Sequence, residues 1–389
     1  MKKNIIILGS TGSIGLSTLS VIKKNYNFKI KLLSSNRNIN KLYKQALNFK
    51  VKDVIIEDYN FYNKYKNIFK KKKIRLHYKL ENISKIIKTK VDFSINSISG
   101  ISGLEPTLKI IPLTKNILIA NKESIICGWN LIKPILKKSN TNFIPIDSEH
   151  FSISELITSN NLNNIQKIIL TASGGPFLNK SLKKIANIKP VDALKHPNWK
   201  MGKKISIDSS TMMNKVFEFI EAIKIFNVKK NKISILIHPS SFIHALVFFK
   251  GDIIKMLAHD TNMEIPISNA LGIKNNKNKN ITSTQLDKLN NLNFQIPDIK
   301  KFPILSLINI IPDRSSFFET ILITLNDSLV EKYLNNQINY ISIQLNIINL
   351  IKKPYFAKYY KLKPKNIYDI NKMIRITKIF LNKNIRNYD

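Results

Sequence analysis

Gly9-Ser10-Thr11-Gly12-Ser13-Ile14-Gly15 is the stretch that decides how this chain is read. It follows directly on the apolar run Ile5–Leu8 and opens a segment with helical spacing through Ile22. A strand, a glycine-spaced turn and a helix, in that order, suit a pyrophosphate. Small residues let the backbone approach it, and the helix N-terminus offers free N–H groups and a favourable dipole. The spacing Gly-x-x-Gly-x-x-Gly is a variant of the dinucleotide fingerprint, and its strand–turn–helix context gives it weight that a lone glycine-rich turn lacks.

Outward from the turn, short apolar runs alternate with helical stretches. Ile5–Leu8, Phe28–Leu33, Val54–Ile56, Phe93–Ile95 and Ile117–Ala120 read as strands of a parallel sheet. The second of them ends Leu33-Ser34-Ser35-Asn36-Arg37-Asn38, where an NAD site would carry an acid for the ribose hydroxyls. Arg37 can instead pair with a 2′-phosphate, which points to NADP. A second segment begins near Ile146, with strand candidates Ile168–Thr171, Ile233–Ile237 and Ala245–Phe249. The run from Lys274 to Lys301 is polar and low in complexity, and apolar residues at helical spacing fill the last ~90 residues. The expectation is an α/β chain. A Rossmann-like parallel sheet spans 1–146, a central α+β catalytic domain 147–273, a linker 274–300 and a C-terminal helical domain 301–389.

A length of 389 residues with 43% hydrophobic content supports two or three cores. No apolar run reaches the ~18 residues of a membrane span, and the run after Met1-Lys2-Lys3-Asn4 stops at Gly9, too short for a secretory signal. Cys127 is the single cysteine, which excludes internal disulfides and thiolate metal clusters and fits a reducing cytoplasm. The net charge of +38 would attract nucleic acid or anionic lipid. However, the lysines are spread along the chain among many Ile and Asn residues, as an A- and T-rich coding sequence produces. They read as a solvated surface, with no specific nucleic-acid partner and no membrane partner.

Asp147-Ser148-Glu149-His150 follows the strand-like Phe143–Ile146. In extended backbone, residues two apart share a side, so Asp147 and Glu149 can converge. Carboxylates without Cys or clustered His suit a hard cation such as Mg²⁺ or Mn²⁺. A third ligand is offered by the stretch Ile205 to Glu218, where Asp208 or Ser209 would cap a helix. Asn214 and Glu218 then lie one turn apart with Lys215 beside them, and Glu221 is a rival ligand that spacing leaves open. Hydroxyls, an amide and a cation around one helix start suit a phosphate. Between these segments, Ser173-Gly174-Gly175-Pro176-Phe177 and His196-Pro197-Asn198-Trp199-Lys200-Met201-Gly202 read either as a hinged lid over 173–203 or as a structured connection with Trp199 in the core. His238 and His244 read as packed, hydrogen-bonded histidines.

Taken together, Gly9–Gly15, Asn121-Lys122-Glu123-Ser124, Asp147–His150, Ser173–Phe177, His196–Gly202, Asp208–Glu218 and His238–His244 resemble one family, 1-deoxy-D-xylulose 5-phosphate reductoisomerase, in its order and spacing over the first ~270 residues. The resemblance implies a cytoplasmic homodimer that rearranges its sugar phosphate, by retro-aldol then aldol steps, and reduces the resulting aldehyde with NADPH. It implies Asp147, Glu149 and Glu218 as ligands of Mn²⁺ or Mg²⁺, with Co²⁺ a further candidate. Lys122 and Ser148 would contact the substrate's polar end. Ser173, Ser209, Asn214 and Lys215 would form the phosphate pocket, and His196 and Trp199 would belong to the lid. Thr11, Gly12, Ser13, Ile14, Arg37, Asn38, Asn121, Glu123 and Gly202 would touch the cofactor. The chain departs from the family pattern at Asn36 and Arg37, where Gly then Lys is usual. It also keeps only an echo, Asn326-Asp327, of the family's Asn-Glu motif.

Two other readings compete with this one. A different NADP-dependent dehydrogenase of a phosphorylated or amino-acid intermediate would not need the three carboxylates together. A nucleic-acid-binding protein would show tight, selective binding at moderate salt.

Overall fold

The runs of Ile, Leu and Val that read as strands are buried on both faces, as central parallel strands must be. Ile5, Ile6, Ile7 and Leu8 have no exposed surface at all. In the computed structural model, which describes residues 2–25, 27–157, 162–181, 185, 188–195, 197–199, 201–273 and 282–388, they form β1 (Lys3–Leu8). With β2 (Phe28–Ser35), β3 (Asp53–Ile56), β4 (Arg75–Tyr78), β5 (Val91–Asn96), β6 (Thr114–Ile119) and β7 (Asn142–Pro145) it builds a seven-stranded parallel sheet. The spatial order is β4-β3-β2-β1-β5-β6-β7. The order reverses between β2 and β5, on either side of β1, so the crevice at a topological switch point opens beside the loop that leaves β1. The glycine turn occupies that loop. Gly9 has φ +75°, and a Cβ there would lie 2.8 Å from Ser97 O; a Cβ on Gly15 would lie 2.5 Å from Ser10 Cα. Glycine is therefore required at both positions by the close approach of backbone to backbone.

The edge strand β4 had no counterpart in the sequence reading. Its residues are exposed or only partly buried, and its stability comes partly from charge: Arg75 and His77 both contact Asp53 on β3.

The chain divides into two compact units, Met1–Asp147 with Met263–Asn275, and Ser148–Asn262 with Asn276–Asp389. The first thus includes a stretch that the sequence reading grouped with the catalytic segment. The helix Glu264–Ala270 packs on the helix Ser13–Lys23, with Lys24 paired to Glu264 at 2.7 Å. The second unit holds a four-stranded sheet in the order β11-β10-β8-β9, from β8 (Ile165–Ala172), β9 (Ile233–Ile237), β10 (Ile243–Phe249) and β11 (Ile253–Ala258). β10 runs antiparallel to both neighbours, and β8 parallel to β9. The helices Ser148–Ile157 and Met213–Phe226 pack against this sheet. The helices Phe318–Leu334, Tyr340–Ile351 and Ile367–Asn384 make the C-terminal layer. A helix, Ser283–Asn290, begins at a Thr282/Gln285 capping box inside the stretch read as a linker, of which residues 274–281 lie outside the described set.

Candidate active site

The turn after β1 is held by small polar side chains. Gly9 N donates to Ser34 Oγ (3.0 Å), Ser10 Oγ to Gln45 Oε1 (2.7 Å), and Thr11 Oγ1 pairs with Ser35 Oγ (2.9 Å). Gly12 is the N-cap of the helix that starts at Ser13 and brings no side chain to its N–H groups, which are thereby left to an incoming anion. Arg37, 77% exposed, lies 3.2 Å from Asp58, an acid the sequence reading did not consider. Asn38 caps the helix Ile39–Asn48 by accepting from Lys41 N. Asn121 caps the helix Lys122–Ser139 by accepting from Ser124 N (2.6 Å), and its amide donates to Ile98 O and Gly100 O. It thereby ties the loop after β5 to that helix. Glu123 and Lys122 are buried in its first turn, and Lys122 Nζ lies 3.2 Å from Asp147 Oδ2.

In the second unit a cluster forms from residues far apart in sequence. The chain turns helical at Ser148, so Glu149 sits in the first turn of the helix Ser148–Ile157 rather than on extended backbone. Ser148 Oγ donates to Glu149 Oε2 (2.6 Å). Lys215 Nζ lies 2.8 Å from Glu149 Oε1 and also pairs with Glu218 Oε2, while Asn214 Nδ2 donates to Glu218 Oε1. Lys215 is 4% and Glu218 1% exposed. Burial alone would lower the lysine's pKa, but the two carboxylates outweigh it and raise the pKa, so the ammonium is held charged. Glu221, the rival ligand, faces a different partner. Its carboxylate faces His150 Nδ1 at 3.8 Å, and His150 Nε2 donates to Glu218 O (3.0 Å). His150 thus braces the backbone that carries Glu218, a role sequence reasoning missed; the signal was a histidine next to an acid.

The helix start at Asp208–Ser209 is also a correction. Asp208 lies inside the helix Lys203–Ser210, capped by Gly202, and the next helix begins after Met212 in left-handed backbone with no side-chain cap. A buried partner explains Asp208: Asn326 Nδ2 donates to it (2.8 Å), and Lys204 links it to Asp327 (3.4 and 2.9 Å). Asn326-Asp327 therefore anchors the helix that carries Ser209. Ser173 accepts from Gly175 N (3.1 Å), and Gly175 packs so closely on Ser210 that a Cβ would meet its Cα at 2.9 Å. The Ser173 turn and the Ser209 helix are thus adjacent. Trp199 is half-buried, edge-on to His244 at 6.1 Å, and His244 stacks on His259 at 3.9 Å. Asn198 beside it donates to Pro239 O and Ser241 Oγ. His196 lies outside the described residues.

Two local geometries bear on a cofactor and a metal. The cradle at Gly9 to Gly15, whose tightness leaves no room for a Cβ at Gly9 or Gly15, fits a pyrophosphate. Glu149 and Glu218 already share one buried cation, and an all-oxygen donor set fits a hard divalent ion. Along the chain, Asp147 stands two residues before Glu149.

Three family models match the chain: 1-deoxy-D-xylulose 5-phosphate reductoisomerase over residues 5–128, its C-terminal domain over 143–226, and a DXP reductoisomerase C-terminal domain over 259–379. A 1-deoxy-D-xylulose 5-phosphate reductoisomerase from Pelagibacter ubique is 50% identical over 374 residues, 95% of this chain and 96% of the relative. The Zymomonas mobilis enzyme, solved in complex with NADPH, superposes with a TM-score of 0.87 at 29% identity, covering 98% of this chain and 99% of that one. A DOX-P reductoisomerase solved with NADPH, fosmidomycin and magnesium gives 0.88 at 31% identity, covering 98% of both chains. This chain belongs to the 1-deoxy-D-xylulose 5-phosphate reductoisomerase family.

Proposed function

We infer that the chain converts 1-deoxy-D-xylulose 5-phosphate to 2-C-methyl-D-erythritol 4-phosphate, with NADPH and a divalent metal, in isoprenoid biosynthesis. The observation that carries the reading is the buried pairing of Glu149 and Glu218 around one cation, with Asn214 and Lys215 beside them. In this reading Asp147, Glu149 and Glu218 hold Mg²⁺ or Mn²⁺, and Thr11 to Ile14, Arg37, Asn38, Asn121, Glu123 and Gly202 hold NADPH. The metal supplies positive charge that polarises the substrate's oxygens, and NADPH supplies the hydride. The protein's own work is placement. Ser173, Ser209, Asn214 and Lys215 bind the phosphate, and Lys122 and Ser148 orient the polar end. Trp199, with His196, covers the carbon chain and keeps water out in a lid over 173–203. The first ~146 residues serve the cofactor, the central segment the chemistry, and the C-terminal helices brace it. Purified protein should oxidise NADPH with 1-deoxy-D-xylulose 5-phosphate when Mn²⁺ or Mg²⁺ is present and not after chelation. Metal-independent turnover, or none on this substrate, would favour another NADP-dependent dehydrogenase.

The partner in this reading is a second copy of the chain. β11 is a sheet edge that exposes Ile253, Ile254 and Met256 at 54, 50 and 45%. An uncovered apolar edge is a liability that pairing removes. Sedimentation should show a dimer, and Ile254→Lys should shift it toward monomer. The described residues contain no helix long and apolar enough to cross a membrane, and the reading places the enzyme in the cytoplasm without a nucleic-acid partner.

A further inference from the structure

Lys215 and Asn214 carry two assignments that conflict in the structure as it stands. Both belong to the phosphate pocket in the reading above, yet both are engaged by a carboxylate of the metal site. Asn214 Nδ2 donates to Glu218 Oε1, and Lys215 Nζ pairs with Glu218 Oε2 and with Glu149 Oε1 at 2.8 Å. All three charged groups are buried or nearly so, with Lys215 at 4% and Glu218 at 1% exposure. A divalent ion held by both Glu149 and Glu218, at ~2.0–2.6 Å from their oxygens, competes with the ammonium for the space between the two carboxylates. An ammonium and a divalent ion cannot both occupy that space, because like charges at such separations repel strongly.

We propose that Lys215 is an internal stand-in for the metal, which neutralises Glu149 and Glu218 until the divalent ion displaces it toward the phosphate pocket, so that metal and phosphate bind cooperatively. This rests on the ligand and phosphate assignments of the proposed function. In the metal-free enzyme the stand-in removes the cost of two buried, uncompensated carboxylates. When the ion takes Glu149 and Glu218, Lys215 Nζ loses both of its carboxylate partners, and an anion beside Asn214 and Lys215 then satisfies the ammonium. Thermodynamic linkage makes the effect reciprocal: a phosphate that holds Lys215 must strengthen metal binding by the same factor that the metal strengthens phosphate binding.

The test is Mn²⁺ binding to the full chain without substrate turnover, read from the free-Mn²⁺ signal in electron paramagnetic resonance, with and without inorganic phosphate. In the native protein phosphate should tighten Mn²⁺ by about 5–150-fold, the usual range of such coupling. Lys215→Met should bind Mn²⁺ more tightly than the native protein in the absence of phosphate, and phosphate should no longer change its affinity. Glu218→Gln should lose Mn²⁺ binding. Native protein without phosphate coupling, or Lys215→Met that binds Mn²⁺ no more tightly than native while Glu218→Gln loses it, overturns the stand-in and leaves the ligand assignment intact. Glu218→Gln that keeps native Mn²⁺ affinity overturns the ligand assignment itself. Should Lys215→Met fail to fold, the coupling measured in the native protein still decides.

Discussion

The turn after β1 and the cluster around Glu218 are built by opposite means. In the turn, backbone does the work: Gly9 and Gly15 let peptide groups approach where a methyl group would collide. Every residue of the cradle lies within seven positions of sequence. The cluster around Glu218 is built from side chains, and its central pair, Glu149 and Lys215, is separated by 66 residues. A backbone site depends on the absence of side chains and fails by crowding. A side-chain site depends on charge balance and fails by losing one charge. The two should therefore respond to different substitutions and on different scales.

The largest effect is expected in the charge-balanced region. Glu218→Gln removes one of the two carboxylates that face Lys215, and turnover should fall by about 10³-fold, the scale of losing an electrostatic stabiliser of the transition state. NADPH binding, measured by fluorescence titration, should be unchanged. Glu221→Gln alters an acid that faces His150 instead, so its loss should be at least tenfold smaller. Equal losses from the two would erase the distinction between the acids.

The crowding test comes next. Gly15→Ala places a Cβ 2.5 Å from Ser10 Cα, backbone that cannot yield as a flexible side chain would. Overpacking of this kind costs about 1–3 kcal/mol. Urea denaturation should show that loss, and NADPH affinity should fall while Mn²⁺ affinity holds. Parallel loss of both affinities would mean that the two regions do not fail independently.

The same contrast explains how much could be read in advance. Six of the seven strands of the parallel sheet were legible, because buried apolar runs bounded by turns need no partner to be recognised. β4 escaped because Arg75 and His77 read as solvated side chains until Asp53 is opposite them. The glycine turn was legible for the same local reason. In the second unit, the residue types at Glu149, Asn214, Lys215 and Glu218 were visible, but their pairing was not. Sequence spacing could not separate Glu218 from Glu221, which differ in whether they face Lys215 or His150. Asp208 was misread as a cap because its true partner, Asn326, is 118 residues away. β11 was missed because its apolar residues lie on an exposed edge with no alternation to mark a buried face.

Asp53 extends the comparison to stability. Burial would raise its pKa, but hydrogen bonds and charge from His77 and Arg75 hold it down at about 2. A depressed carboxylate contributes stability that is present above its unfolded value of ~3.9 and is lost as pH falls through the folded value. Asp53→Asn should therefore cost roughly 2 kcal/mol at neutral pH, by the same relation. The gap between variant and native should shrink from about pH 4 down to about pH 2. A gap that stays constant over that range would assign the loss to packing rather than charge.

The smallest effect should come from Arg37, where the two modes meet: a charged side chain at the rim of a backbone-built site. Its guanidinium is 77% exposed and already engaged, 3.2 Å from Asp58. Exposed ion pairs contribute about 0–1 kcal/mol because water and salt screen them. Arg37→Ala should thus weaken NADPH by about fivefold or less and leave NADH nearly untouched, since only the 2′-phosphate offers it a charge. Asp58 sets the sign of the complementary experiment. As an acid beside the proposed 2′-phosphate position, it repels the phosphate and competes for the arginine. Asp58→Asn should therefore tighten NADPH slightly, and the gain should shrink when Arg37 is also replaced, since only the direct repulsion then remains. Asp58 is also the N-cap of the helix Tyr59–Lys71, accepting from Asn60 and Phe61, and asparagine keeps that cap. Any change in affinity can then be credited to charge. If Asp58→Asn loosens NADPH instead, the ion pair is holding Arg37 in its binding position, and the acid and the base act as one unit.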